Sequence, residues 1–70
     1  MIPLVFSENG QDVIIKKVGG SQEMKQHLAD LGFVPGATVS IVTQLAGNII
    51  VNVKESRIAI SKEMAQRIMV

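Results

Sequence analysis

Glu23, His27 and Asp30 stand at i, i+4 and i+7, so on a helix they share one face. Carboxylates beside an imidazole are ligands for Fe(II), Mn(II) or Zn(II), and this trio is the clearest chemical spacing in the chain. A single helix makes a weak site, because ordered sites draw ligands from several elements. A solvated flank with helix-compatible charges accounts for the same pattern. Glu23, His27 and Asp30 are therefore weak metal candidates, toward Fe(II) or another divalent transition metal, and no resident cofactor is expected. Catalysis has less to build on. The chain has no Cys, and its one His has no neighbouring context that suggests a Ser or carboxylate partner. There is no Gly-x-x-x-x-Gly-Lys-Ser/Thr phosphate loop, and Gly19-Gly20 reads as a turn. The expectation is a protein that is not an enzyme. Lys16, Lys17 and Lys25 could form a small basic patch, but Phe6 and Phe33 are the only aromatic rings available to stack on bases. With a net charge of +1 the chain is not expected to bind nucleic acid.

The elements that must position these residues have little chain to work with. Seventy residues make one domain, 1–70, and a core of that size supplies about 3–5 kcal/mol. Without Cys there are no disulfides or thiolate zinc sites to add to it, which fits a reducing cytosol. The chain is 47% apolar, and its mean hydropathy is +0.34. Yet runs such as Val13-Ile14-Ile15 and Ile49-Ile50-Val51 fall far short of the roughly 20 apolar residues a bilayer helix needs. The segment Met1–Phe6 lacks a basic leader and reaches Ser7-Glu8 too soon for a signal peptide. No membrane insertion and a cytoplasmic location are expected. The apolar surplus must go into packing or into a partner.

Asn9-Gly10 marks a turn before a β-branched strand over 13–18, which Gly19-Gly20 stops. Ser21 is a natural N-cap, Glu23 suits the positive helix end, and Met24, Leu28 and Leu31 form one apolar stripe. Gly32 then takes the left-handed position after the helix. Phe33 can touch Leu28, as in a Schellman ending. Val34-Pro35-Gly36-Ala37 has Pro and Gly where a type II turn wants them. A strand follows over 38–45, and Gly47-Asn48 turns the chain into a second strand over 49–53. Lys54-Glu55-Ser56 is a charged turn and 57–60 another strand. Ser61 caps a brief helical turn over 62–67, and Ile68-Met69-Val70 closes a sheet. The sum is a mainly β fold: a small SH3-like β-barrel with one inserted α-helix and a short C-terminal helical turn.

The stretch Leu28-Ala29-Asp30-Leu31-Gly32-Phe33-Val34-Pro35-Gly36-Ala37-Thr38-Val39 resembles the signature of FeoA-type ferrous iron transport proteins. There, leucines three apart precede Gly, a large apolar residue, Pro-Gly and a strand opening on Val. The end, Ile58 to Val70, is similar to the family's close, a strand running into a helical turn with Ala and an apolar-x-Val finish. The likeness spans about Val13 to Val70. It departs at Ser61, where many members carry Arg, and in the shorter Leu45–Asn48 hairpin. The resemblance implies a cytoplasmic accessory protein of ferrous iron transport, acting by protein contact on the FeoB-type membrane GTPase transporter. Leu28, Leu31, Gly32, Pro35, Gly36 and Val39 form the signature corner in a structural role. The alternative is the SH3-like domain of metal-dependent repressors, weakly binding a transition metal. Self-association is left open.

Apolar surface is the other route to function. Ile49, Val51 and Val53 point one way from their strand and Ile50 the other, while Val42 sits opposite Val39 and Ile41. Met64 is flexible enough for adaptable contacts. Ile50, Val42 and Met64 are therefore the expected partner-binding residues, while a small barrel needs most of its other apolar side chains inside. An N-terminal strand or arm of Leu4, Val5 and Phe6 is expected to contribute.

Overall fold

Local rules account for most of the elements in the computed structural model, which describes residues 1–70. Helix α1 spans Gln22–Asp30, and the Ser21 hydroxyl accepts from the Met24 N–H at 3.1 Å. Its end is a full Schellman closure. Gly32, at φ +106°, donates its N–H to the Ala29 carbonyl at 2.9 Å, and Phe33 donates to Leu28 at 2.9 Å. The Ala37 N–H then reaches the Val34 carbonyl at 3.0 Å across Pro35-Gly36, with Gly36 at φ +92°. That is the expected tight turn.

Strands β1 (Val13–Ile14) and β2 (Lys17–Val18) flank the first helix on its N-terminal side. After α1 come β3 (Thr38–Leu45), β4 (Asn48–Val53), β5 (Ser56–Ser61), the short helix α2 (Lys62–Ala65) and β6 (Ile68–Met69). Four strands form one sheet in the order β1-β3-β4-β5, and β2 pairs with β6 in a second, all antiparallel. Ser61 caps α2 by accepting from the Met64 N–H at 3.2 Å.

Three details differ from the sequence-based expectation. The strand over 13–18 is two strands: Val13 pairs with Val39 in one sheet, while Lys17 pairs with Met69 in the other. Ile15 lies buried at the switch, its N–H donating to Ala37 at 2.9 Å, so one short segment serves both sheets. The tight turn after β3 is Ala46-Gly47, one residue earlier than expected, because Leu45 pairs with Asn48 and Gly47 takes φ +78°. Leu4–Phe6 is a 3-10 turn, not a strand, and Leu4 is fully buried.

The core gathers one face of each sheet with the helix stripe. Ile49, Val51 and Val53 of β4 meet Val39 and Ile41 of β3, Ile60, Leu28, Phe33 and Ile68. A bulge between Ile41 and Thr43 leaves Val42 outside the ladder and breaks the alternation of β3 there.

Candidate functional site

Helix α1 divides the surface around it into two grooves. Its core stripe is anchored by buried Leu28, with Met24 and Leu31 half-buried beside the core. The spacing 22, 25, 26, 29 puts Gln22, Lys25, Gln26 and Ala29 on one flank. This flank, β2 and the Phe33–Pro35 corner enclose a groove of about 390 Å³. Lys16, Lys17 and Lys25 all line it, so the three lysines noted as a possible patch do converge. Sequence reasoning missed what they converge on: the floor of Val18, Ala29 and Val34, and the two glutamines. The i, i+3, i+4, i+7 spacing on α1 was the available clue.

On the other flank, Ser21, Glu23, Met24 and His27 meet Met64 of α2 around a groove of about 340 Å³. The structure divides the expected ligand trio. Glu23 and His27 share this groove, while Asp30 accepts from Gln26 Nε2 at 2.9 Å on its own helix. Nowhere do three His, Asp or Glu side chains gather into a group able to hold a metal ion. Met24 lies against the helix entry, where a Cβ added to Gly20 would meet its sulfur at 3.2 Å.

The three expected contact residues also part company. Ile50 faces Thr43 on β3 and Ala59 on β5, beside the bulge residue Val42. Both are half-buried and neither packs against the core cluster. Met64 does pack against that cluster, and its remaining surface belongs to the His27 groove. The signature residues behave as a corner: Leu28 and Val39 are buried, Leu31 packs beside them, and Gly32, Pro35 and Gly36 turn the chain. No helix is long and apolar enough to cross a membrane.

Comparison with known proteins places this geometry. Residues 2–70 match the model of the FeoA domain. The Fe(2+) transport protein A of Methanocaldococcus jannaschii is 34% identical over 70 residues, covering 100% of this chain and 85% of that one. A crystal structure of the iron uptake regulatory protein FeoA superposes with a TM-score of 0.90 at 33% identity, over 99% of this chain and 93% of its own. The Stenotrophomonas maltophilia FeoA crystallised with zinc, described as a prokaryotic SH3 domain protein, is alike in fold: TM-score 0.85, 24% identity, 100% of this chain and 89% of that one. A manganese-dependent transcriptional repressor shares the fold alone, with a TM-score of 0.82 at 17% identity over 94% of this chain and 38% of its own. Matched from end to end, the chain belongs to the FeoA family of ferrous iron transport proteins, and its mainly β fold is SH3-like.

Proposed function

We propose that this chain is a cytosolic accessory protein of ferrous iron uptake that acts by protein–protein contact on the FeoB-type membrane GTPase transporter. Family membership over residues 2–70 carries the reading. The structure supports it with a small scaffold whose grooves and outer sheet face offer contact surface. Fe(II) enters as the transporter's cargo and not as a resident cofactor. The regulator reading rests on a fold likeness at 17% identity and on a ligand trio that the structure divides, so it is not adopted.

The test is retention of the transporter from membrane extract on the immobilised chain, with the transporter's purified GTPase domain as a second bait. Binding of both is expected. Retention of neither, with the chain shown to be folded, overturns the reading.

A further inference from the structure

The groove between β2 and α1 combines three features: a basic rim, an apolar lining and side-chain amides. Lys17 approaches from β2, Lys16 from the residue just before it and Lys25 from α1, and no acidic side chain lines the groove. Val18, Ala29 and Val34 give the same groove an apolar lining, on which lysine stems can rest while their charges stay in water. Gln22 adds an amide donor and acceptor suited to a peptide backbone, and Gln26, whose Nε2 already donates to Asp30, adds its amide oxygen as an acceptor.

We propose that this groove binds an acidic, partly apolar peptide segment of a partner protein, its carboxylates on Lys16, Lys17 and Lys25 and an apolar side chain on the floor. Charge complementarity names the occupant, because a basic rim without internal acids attracts a segment that brings them. A nucleic acid fits less well: the ring at the groove is Phe33, only 1% exposed and unable to stack on a base. A lone phosphate fits less well too. It would use a helix N-terminus, and the Ser21 hydroxyl already holds the Met24 N–H there. The inference deepens the transporter reading and rests on it only for the identity of the partner.

The probe is a fluorescein-labelled hexapeptide, Asp-Glu-Leu-Glu-Asp-Leu, titrated into the ¹⁵N-labelled chain. Amide shifts centred on Lys17, Val18, Lys25 and Ala29 are expected. Lys17→Glu with Lys25→Glu is expected to weaken binding about tenfold, and the matched pair Arg57→Glu with Lys62→Glu, outside the groove, to weaken it much less. Shifts centred elsewhere, equal losses in both pairs, or tighter binding of an oligothymidylate or of anionic vesicles overturn the proposal. The transporter's GTPase domain separates the two readings. If it binds the native chain and the groove variant alike, the groove proposal fails and the transporter reading stands. If the peptide binds and neither the domain nor the whole transporter does, the groove stands and the transporter reading fails.

Discussion

Gly32 ends α1 at φ +106°, a backbone state that L side chains rarely adopt. An ideal Cβ there would lie 3.5 Å from Lys54 Cδ and Val53 Cγ2, which is ordinary contact. The cost of Gly32→Ala therefore lies in the backbone, and a loss of about 1–2 kcal/mol in urea unfolding is expected. A loss of only a few tenths would show that the corner relaxes and that the Schellman geometry matters little. Ile50 poses the opposite question. It is half-buried on the outer sheet face and absent from the core cluster, so Ile50→Lys is expected to fold with a stability change below about 1 kcal/mol. An unfolded variant by circular dichroism would place Ile50 in the core. At this scale the sequence was informative where residue type and backbone state are tightly linked, as at Ser21, Gly32 and Gly36. Strand alternation also set Ile50 and Val42 off the core face, whereas the bulge between Ile41 and Thr43 is one that no single residue announces.

The β4–β5 hairpin turns on Lys54 and Glu55, both left-handed at φ +48° and +66°. Val53 pairs with Ser56 across them, so this is a two-residue loop of the type that favours Asn-Gly. Two non-glycine residues hold a conformation that carries strain. Replacing them with Asn-Gly is expected to raise stability by about 1 kcal/mol, read as a higher urea midpoint at unchanged slope. A lower midpoint would mean that the Lys54 side chain over Gly32 contributes more than the turn costs. Elements whose cause lies within a few residues were legible: α1 with both ends, β3, and the cap of α2. The break of 13–18 into β1 and β2 was not, because its two halves answer to Val39 and Met69, far away in sequence. The candidate groove was half legible for the same reason. Its lysines can be read from the sequence, whereas its floor exists only once α1 packs beside β2.

For the whole molecule the margin is thin. Phe33 is 1% exposed and joins the helix corner to the core. Phe33→Ala should cost about 3–5 kcal/mol, comparable with the whole stability expected at this size. The variant is expected to be largely unfolded at 25 °C by circular dichroism, and a cooperative transition with a native midpoint would show that the core is held elsewhere. The apolar richness read from composition is explained by this economy, since both sheets and α1 share one small interior. One last pairing has a practical consequence. Ile2 donates its N–H to the Val70 carbonyl at 3.0 Å, and Val70 returns the bond to Ile2 at 2.8 Å. Ile2 and Val70, the second and last residues of this sequence, thus sit side by side, and a peptide linker of a few residues could splice the two ends into a ring. New termini could then be opened at the exposed Ala46-Gly47 bend without rerouting any strand, turning the molecule into an insertable cassette.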